Sequence, residues 1–346
     1  MKECSVIYPP QIHLARLPTP LYPLARLSAK FGVELLMKRD DLTGSALSGN
    51  KIRKLEFVLA DAVAQKADTI LTCGGAQSNH CRATAIAAAM LGMNCRLLLR
   101  TEDPSNPPFP EGNILLDQMA GAEMVWITPE EYNRRDEIFQ REATALKKTR
   151  RNPYTIPEGA SNALGAWGYI KCVEELVNDI ANLPGGAHKG ATIINATGSG
   201  GTSAGLILGT KIFDLNARVV SVNVCDDQDY FVRVIGKICE GAISEYHLEI
   251  DFSRDDDITI MDGYVGRGYA LSRPEELSVI CALARSEGIF LDPVYTGKAF
   301  FGMIQELERD PKCFGERIIF LHTGGIFGLF PKAREIEPLL SEISAG

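Results

Sequence analysis

Short apolar segments alternate with longer helix-like segments along most of this chain. Segment 69–73, Thr-Ile-Leu-Thr-Cys, is β-like and ends at a pair of glycines, and an alanine-rich helix is predicted at 79–90. The same order recurs at 191–196 and 203–213. Buried strands that alternate with helices favour parallel pairing, because each helix carries the chain back across the sheet. The sequence therefore predicts an α/β protein whose mostly parallel strands are covered by helices on both faces.

The other predicted elements continue this alternation. Further strands are predicted at 33–37, 95–99, 124–127, 218–224 and 317–321, and further helices from 51 onward and at 112–119, 129–148, 274–286 and 297–307. Three stretches rich in Pro or Gly, at 103–112, 153–168 and 184–186, are the candidate weak seams. The first is interpreted as a surface loop rather than a domain boundary.

Composition and charge narrow the class of protein. At 346 residues the chain is long enough for a large core and for two domains. Its 36 Lys and Arg against 44 Asp and Glu give a net charge of -8. That sign argues against a general nucleic-acid binder and against attraction to an anionic membrane.

The cysteines and the N-terminus indicate the compartment. Residues 1–10 contain no signal-peptide-like apolar run, and no uninterrupted apolar stretch of about 18 residues occurs, so a cytoplasmic location is expected. Nine cysteines without a paired framework are interpreted as reduced core thiols. Cys73, His80 and Cys81 lack a fourth ligand at a suitable spacing, and no metal site is expected.

Lys51 opens a predicted helix directly after the polar turn Ser48-Gly49-Asn50. A lysine that is desolvated there loses its proton readily, and its neutral amine condenses with an aldehyde. Arg53 and Lys54 supply further positive charge or a contact for an anion. The alternative is that all three cations form the exposed face of an ordinary helix. A nucleotide-binding phosphate loop at 44–51 is excluded by Asn50, which stands where the lysine of that motif belongs.

Two glycine-rich turns at predicted helix starts are candidate anion sites. Segment 197–205 carries four glycines, and the free N–H groups of such a turn, together with the helix dipole, suit a phosphate. Ser203 replaces the third glycine of a dinucleotide fingerprint, so a monophosphate fits better. Segment 74–80 repeats the geometry, with Ser78 or Asn79 as the helix cap and room for a carboxylate. Ordinary strand-to-helix turns remain the alternative at both places.

Five motifs occur in a fixed order along the chain. They are Ser-Gly-Asn-Lys-Ile-Arg-Lys-Leu-Glu at 48–56, Gln-Ser-Asn-His at 77–80, Thr-Gly-Ser-Gly-Gly-Thr at 197–202, Asp-Pro-Val-Tyr-Thr-Gly-Lys at 292–298 and Leu-His-Thr-Gly-Gly at 321–325. Together they resemble the pyridoxal-phosphate enzymes of the D-cysteine desulfhydrase and 1-aminocyclopropane-1-carboxylate deaminase family. The resemblance runs from about Leu17 to about Phe330.

The resemblance implies a fold and an assembly. Family members have two open, twisted, mostly parallel sheets flanked by helices, which is the tryptophan-synthase β-type fold, or fold type II. A large cofactor-binding domain would then comprise 1–53 and 166–346, and a small domain 54–165. A homodimer that binds a small amino acid, with no nucleic acid or membrane partner, is the expected form.

The resemblance also implies roles for individual residues. Lys51 would form the Schiff-base linkage with pyridoxal 5'-phosphate, and Ser78, Tyr269 and Tyr295 would complete the catalytic set. The expected cofactor contacts are Lys51, Lys54, Asn79, Gly198, Ser199, Gly200, Gly201, Thr202, Thr296 and Thr323. The substrate carboxylate is expected at Ser78, Asn79 and His80.

The implied reaction is α,β-elimination, most simply of D-cysteine to pyruvate, hydrogen sulfide and ammonia. Cyclopropane deaminases carry Glu and Leu at the positions of Thr296 and Thr323, and two threonines are typical of D-cysteine desulfhydrases. A hydroxyl cannot keep a pyridine nitrogen protonated as a carboxylate would. Cyclopropane deaminase and L-cysteate sulfo-lyase activities remain open, as do, more distantly, a racemase, a dehydratase and a non-catalytic cofactor-binding protein.

Overall fold

The computed structural model describes residues 6–342. Its strands are β1 Leu21–Pro23, β2 Glu34–Lys38, β3 Thr69–Gly75, β4 Asn94–Arg100, β5 Glu123–Ile127, β6 Pro153–Thr155, β7 Ala191–Thr197, β8 Ala217–Asn223, β9 Thr259–Met261 and β10 Arg317–Leu321. Its helices are α1 Ala25–Phe31, α2 Asn50–Ala64, α3 Asn79–Met90, α4 Gly112–Met119, α5 Pro129–Asn133, α6 Arg135–Lys148, α7 Ala163–Ala181, α8 Gly201–Ile212, α9 Gln228–Tyr246, α10 Arg254–Asp257, α11 Pro274–Glu287, α12 Thr296–Arg309 and α13 Ala333–Glu342. Cys4 and the first half of the N-terminal decapeptide lie outside the described residues.

The strands form two sheets. One has six strands in the order β1-β2-β10-β7-β8-β9, and the other has four in the order β5-β4-β3-β6. Every neighbouring pair is parallel except β1 with β2, which is antiparallel. Strands β3, β7 and β10 are buried along their whole length, as strands covered on both faces must be. The predicted α/β class with two mostly parallel sheets is confirmed.

The topology brings the glycine-rich turns to the edges where binding sites form. Strands β7 and β10 are parallel neighbours, so the turns that follow them, 198–200 and 322–325, emerge at the same edge of the large sheet. The turn 76–78 follows β3 at the corresponding edge of the small sheet. Ligands of open α/β sheets bind beyond these carboxyl ends.

Most predicted elements occur within one to three residues of their expected ends, and α3, α4 and β10 match at both ends. The helix predicted at 129–148 is wrong as one element, because it divides at Arg134 into α5 and α6. Thr128 caps α5 through a box with Glu131, which sets a short separate helix at that point. The sequence analysis did not predict α7 or α9, each of 19 residues.

Helix α7 begins inside the stretch that was interpreted as a weak seam, and it lies at the centre of the large core. Its glycines are contact points rather than breaks. A Cβ added at Gly168 would lie 2.5 Å from the carbonyl carbon of Arg53 on α2. One added at Gly205 on α8 would lie 2.5 Å from the Cβ of Tyr169, and closer still to the carbonyl of Ala166. Helices α2, α7 and α8 therefore touch almost backbone to backbone.

A buried ionic cluster joins two of these helices, α2 and α7, to the segment that follows β2 of the large sheet. The Arg53 guanidinium, with its side chain fully buried, lies 2.8 Å from Asp40 and 2.8 Å from Glu175. Tyr169 donates its hydroxyl proton to Asp40 at 2.6 Å. Burial alone would raise the pKa of Asp40, but Arg53 and these hydrogen bonds hold it below its ordinary value. Arg53 is therefore a structural ion-pair residue two positions from Lys51, and not an exposed cation.

Two further features concern the helices and the cysteines of the described residues. Within residues 6–342 no helix has the length and apolar character needed to cross a bilayer. Eight cysteines lie in this part of the chain, and all of them are free thiols. Six of the eight are buried.

Adding one methyl group at the α7–α8 contact is expected to destabilise the protein. Gly205→Ala should lower the free energy of unfolding by about 1–3 kcal/mol, because the backbone of α7 cannot yield to the new Cβ. The measurement is urea denaturation of the holoenzyme followed by circular dichroism. Gly241→Ala in α9 is the matched control, since its Cβ would meet only Ala163 at 3.8 Å. The control should gain up to about 1 kcal/mol from helix propensity, and equal midpoints for the two variants would contradict the close approach.

Candidate active site

One cavity between the two sheets receives residues from all five motifs. Tyr269, from the loop after β9, also lies in its wall. The lining residues are Asn50, Lys51, Gly74, Gly75, Ser78, Asn79, His80, Glu158, Gly159, Ala196, Thr197, Gly198, Ser199, Gly200, Thr202, Tyr269, Tyr295 and Thr323. Lys54, Gly201 and Thr296, three of the predicted site residues, are not part of this lining.

Lys51 lies in the first turn of α2 and points into the cavity. Its Nζ donates to the side-chain oxygen of Asn50 at 3.2 Å and lies 5.7 Å from the centre of the Tyr295 ring. The pKa of Lys51 is lowered to about 8, chiefly by burial and also by the charge on Arg82, against the opposing effect of Asp292 and Glu158. A substantial fraction of the amine is thus neutral near pH 8, as a nucleophilic lysine requires.

The turn that carries Lys51 is held against the end of β10. Gly49 adopts φ 96°, and the N–H of Asn50 donates to the carbonyl of Thr323 at 3.0 Å. A Cβ at Gly49 would lie 2.6 Å from that same carbonyl oxygen. Only glycine combines this φ with this close approach, so the start of α2 is fixed against 323–324 by backbone contact.

The second glycine turn, at 198–200, precedes α8 and is linked to the Lys54 amine through Ser161. Gly200 is left-handed at φ 82°, and the N–H of Gly201 donates to the Ser161 hydroxyl at 3.2 Å. Ser161 also contacts the Ser199 hydroxyl at 2.8 Å and receives a hydrogen bond from the Lys54 Nζ at 3.3 Å. Lys54, although it does not line the cavity, thus reaches the turn through one serine.

The buried Lys54 amine indicates which ligand the turn fits. Burial, and then the charge of Lys51, hold the pKa of Lys54 well below its usual value. Within the described residues Ser161, a neutral hydroxyl, is its one hydrogen-bond partner. An anion at the turn would pair with this amine and with the positive end of α8. A phosphate group satisfies both, so this end of the cavity fits the phosphate of pyridoxal phosphate.

The start of α3 presents groups that suit a second anion. Ser78 caps the helix by accepting the N–H of Cys81 at 3.2 Å. The N–H groups of Asn79 and His80 are in the first turn, where helical N–H groups have no partner inside the helix. The Asn79 side chain accepts from Asn113 at 3.1 Å, which orients its amide. These groups can receive a carboxylate.

The His80 ring is fixed in one tautomer. Thr72 donates its hydroxyl proton to the carbonyl of Ile156 at 2.9 Å, so it must accept from His80 Nε2 at 2.7 Å. Nδ1 then carries a lone pair, and this buried atom has no partner among the described residues. Burial lowers the pKa of His80 well below its usual value, so the ring stays neutral. A contact between His80 and a carboxylate would therefore come from its backbone N–H.

Tyr269 and Tyr295 meet across the cavity. Their hydroxyl oxygens are 2.7 Å apart and their rings pack edge to face at 6.0 Å. A Cβ at Gly75 would lie 3.1 Å from the Tyr269 ring, so the phenol covers the end of β3. Burial raises the pKa of Tyr269, and burial and the contact with Tyr269 raise that of Tyr295. Both groups remain protonated phenols at neutral pH.

The two threonines of the sequence prediction are in different places. Thr323 lines the cavity. Thr296 donates its hydroxyl proton to the Asp292 carboxylate at 2.7 Å, and its own N–H donates to the same oxygen at 2.7 Å. Asp292 therefore caps α12 with Thr296 as part of that cap. Thr323 is thus the one of the two that lines the cavity, and the contacts predicted between both threonines and a ring nitrogen stay predictions.

Sequence reasoning missed several residues of the site. Ser161 and Glu158 come from the short 3-10 turn after β6, and Asn50 donates its side-chain N–H to Thr202 at 3.0 Å. Gly159 is left-handed at φ 67°, and a Cβ there would collide with Ser199. Pro157 and Gly159 were the available signal, since this pair marks a tight turn. That signal was instead interpreted as a seam between domains.

Known proteins resemble this chain over most of its length. A family described as "Pyridoxal-phosphate dependent enzyme" matches residues 12–324. The chain is 43% identical over 336 residues to the "Bifunctional D-cysteine desulfhydrase/1-aminocyclopropane-1-carboxylate deaminase, mitochondrial" of Arabidopsis thaliana, covering 96% of this chain and 82% of that one. It is 38% identical over 325 residues to a D-cysteine desulfhydrase of Yersinia pestis (strain Pestoides F), covering 93% and 95%.

A solved structure supports the same relationship. The crystal structure of an "ACC deaminase homologue" superimposes with a TM-score of 0.85 at 33% sequence identity, over 96% of both chains. Several other solved structures share the fold at lower identity, among them a fungal L-serine ammonia-lyase at 18% with a TM-score of 0.65. The family resemblance and the expected cofactor are confirmed by these matches.

The lowered pKa of Lys51 predicts how this amine reacts in the cofactor-free protein. Because burial disfavours the ammonium form, amine labelling of Lys51 should rise through a midpoint near pH 8, instead of near the ordinary value of 10.5. Acetic anhydride labelling at a series of pH values, quantified by peptide mass spectrometry, measures this midpoint. The exposed Lys148 in the same samples corrects for changes in the reagent. A midpoint for Lys51 above pH 10 would contradict the described environment.

Proposed function

Since the chain belongs to the family of pyridoxal-phosphate-dependent enzymes, we propose that it catalyses α,β-elimination on a small amino acid, with D-cysteine as the first candidate. The products would be pyruvate, hydrogen sulfide and ammonia, with one water consumed. The observation that carries the proposal is a single cavity that combines a lysine of lowered pKa, an anion site backed by Lys54, and a second anion site at the start of α3.

Lys51 is the residue that would hold the cofactor and later carry the proton. Bound pyridoxal phosphate supplies an electron sink that makes the α C–H bond of an attached amino acid acidic. The neutral Lys51 amine is a base of suitable strength at neutral to mildly alkaline pH, because its pKa is about 8. In this proposal the α-proton moves to Nζ of Lys51.

The start of α3 would orient the substrate. Its carboxylate would take hydrogen bonds from the N–H groups of Asn79 and His80, at the positive end of the helix. The Ser78 hydroxyl, which also lines the cavity, would add a third hydrogen bond or lie close to the reacting carbon. When three donors fix the carboxylate, the α C–H bond has a single orientation relative to Lys51. This orientation would determine whether D or L substrates react.

The tyrosine pair would act at the departing sulfur. One phenol donates to the other across the 2.7 Å contact, so one of the two protons remains available to the cavity. Both groups are protonated at neutral pH, because burial raises the pKa of each. The pair can therefore donate a hydrogen bond to a leaving group as negative charge grows on it.

The lining of the cavity favours D-cysteine over a sulfonated substrate. Lys51 is the one lysine or arginine among the lining residues of the described chain, and Glu158 adds a carboxylate. A sulfonate would need a further cation and would be repelled by Glu158. Arg100 stacks on the Tyr269 ring at 5.1 Å but does not line the cavity.

Cyclopropane deamination is the second candidate, because the printed names of two of the similar proteins include it. The hydroxyl of Thr323, where a leucine stands in the deaminases of the resemblance, favours elimination of a good leaving group. A racemase would form neither sulfide nor pyruvate, and a non-catalytic protein would show no turnover. The same product assay separates all of these.

The remaining parts of the proposal concern assembly and location. A homodimer is proposed from the family resemblance. A cytoplasmic location is proposed from the sequence features described above, although the relative from Arabidopsis thaliana is named as mitochondrial. The division into a small domain at 54–165 and a large domain at 1–53 and 166–346 is proposed too. Its support is that strands β3 to β6 form a sheet of their own.

The central experiment compares four substrates. Purified holoenzyme is incubated separately with D-cysteine, L-cysteine, L-cysteate and 1-aminocyclopropane-1-carboxylate, and sulfide, sulfite and keto acids are measured. Sulfide and pyruvate in equal amounts from D-cysteine are expected. Release of keto acid from the cyclopropane substrate alone would assign the deaminase, and sulfite from L-cysteate would assign the sulfo-lyase.

Removing the lysine tests the mechanism. Lys51→Ala should abolish turnover by at least a thousandfold and remove the mass increase that borohydride reduction fixes on the wild-type chain, because the covalent attachment point is lost. Lys66→Ala, on the exposed end of the same segment, is the control and should keep both properties. Turnover that survives in Lys51→Ala would refute the assignment of this lysine.

Thr323 tests the choice of reaction. Thr323→Leu should lower kcat for D-cysteine about tenfold, which corresponds to the loss of one hydrogen bond of about 1.4 kcal/mol. Thr323→Ser keeps the hydroxyl and should stay within about twofold of the wild type. Full activity of Thr323→Leu on D-cysteine would remove Thr323 from the account.

A further inference from the structure

Lys298 is a motif residue that the proposed mechanism leaves unused. It lies in the first turn of α12, three residues after Tyr295, and its side chain is completely buried. Such an ammonium is costly to bury unless acceptors surround it. The sequence placed this lysine in the 292–298 motif without indicating what it does.

The ammonium is held by the backbone of one loop. Nζ donates to the carbonyl oxygens of Val265, Gly268 at 2.9 Å and Leu271 at 3.0 Å. An ammonium has three N–H donors, so these three carbonyls use all of them. Carbonyl oxygens that converge on one positive charge are also the ligands by which proteins bind K⁺.

The loop at 265–271 depends on this contact. Gly266, Gly268 and Ala270 all have positive φ, at 68°, 120° and 60°. Within the loop, the backbone hydrogen bonds are from Gly268 to Val265 at 3.4 Å and from Leu271 to Gly268 at 3.2 Å. Three carbonyl dipoles that point at one spot repel one another unless a cation lies between them. Apart from these two bonds and the contacts of the Tyr269 side chain with Tyr295 and Arg100, the Lys298 ammonium is the group that gathers the loop backbone.

The same loop carries Tyr269 into the cavity. Lys298 and Tyr295 are one helical turn apart at the start of α12, so one helix end holds the loop and presents the partner of Tyr269. Any movement of the loop changes the 2.7 Å contact between the two phenols. The position of Tyr269 is thus determined by where Lys298 holds the backbone.

We propose that the Lys298 ammonium is a tethered monovalent cation that organises the 265–271 loop and positions Tyr269 against Tyr295. Lys298 is a positioning residue, since it acts through the loop. Glu276 does not replace the carbonyls as its partner, because its carboxylate is 3.9 Å from Nζ and is paired with Arg273 at 2.8 Å. The expected effect on turnover rests on the proposed function, whereas the expected effect on the position of the loop does not depend on it.

Chemical rescue tests the tethered cation. Lys298→Ala holoenzyme is assayed with D-cysteine in chlorides of ammonium, methylammonium, potassium and tetramethylammonium at one ionic strength. We expect kcat to fall at least a hundredfold with KM changed less than threefold. Ammonium or methylammonium should restore kcat at least tenfold, and the bulky tetramethylammonium should not. Wild type and Lys211→Ala, which removes a surface lysine paired with Asp257, should respond equally to all four salts.

Hydrogen exchange gives a readout without turnover. Lys298→Gln fills the space without a charge, and amide exchange across 265–271 in this holoenzyme should be at least tenfold faster than in the wild type. Methylammonium should slow that exchange again in Lys298→Ala. An unchanged loop in Lys298→Gln, or a folded Lys298→Ala whose activity no cation improves, would overturn the proposal. If the wild type does not consume D-cysteine, the exchange experiment alone decides.

Discussion

The buried pair of Arg53 with Asp40 is the interaction on which the rest of the site depends. Arg53 lies two residues after Lys51, and its guanidinium is bound on one side by Asp40, in the short turn after β2, and on the other by Glu175 of α7. Removing one partner of such a pair leaves an uncompensated buried charge, a cost of about 3–5 kcal/mol. The pair therefore fixes α2 against the large sheet and α7 together. The direction in which Lys51 leaves the helix follows from that placement.

The positive groups in and around the cavity are arranged to bind anionic ligands. The Lys54 amine is buried with a neutral hydroxyl, and the starts of α3 and α8 present positive ends. In the protein alone these groups are poorly compensated, which is why burial lowers the pKa of Lys51 and of Lys54. A bound phosphate and a bound carboxylate would compensate these groups. Each anion would also favour the charged form of a lysine amine near it. Binding and catalysis thus use one electrostatic arrangement.

The sequence predicted the parts of the site that lie within single turns. A lysine after a glycine turn, or a serine before a helix, can be recognised from a few neighbouring residues. Lys51, Ser78 and the 198–202 turn were identified as candidates in this way. Ser161 was missed because its role depends on contact with a turn about forty residues away. Helix α7 was missed because Gly165 and Gly168 look like breaks in a sequence, whereas in three dimensions they permit contact with a neighbouring backbone. Both threonines were predicted as cofactor contacts, and that Thr296 bonds to Asp292 instead of lining the cavity could not be read from the sequence.

The stacking of α2, α7 and α8 also determines where this protein can change its specificity. Gly168 and Gly205 leave no room for even a methyl group, so the layer beneath the cavity is closed to redesign. The side chains of Glu158 and Thr323, by contrast, line the cavity and take no part in these helix contacts. In a laboratory evolution experiment that selects for new substrates, we therefore expect substitutions to accumulate at side chains that line the cavity, such as Glu158 and Thr323. Gly168 and Gly205 in the helical layer should stay unchanged.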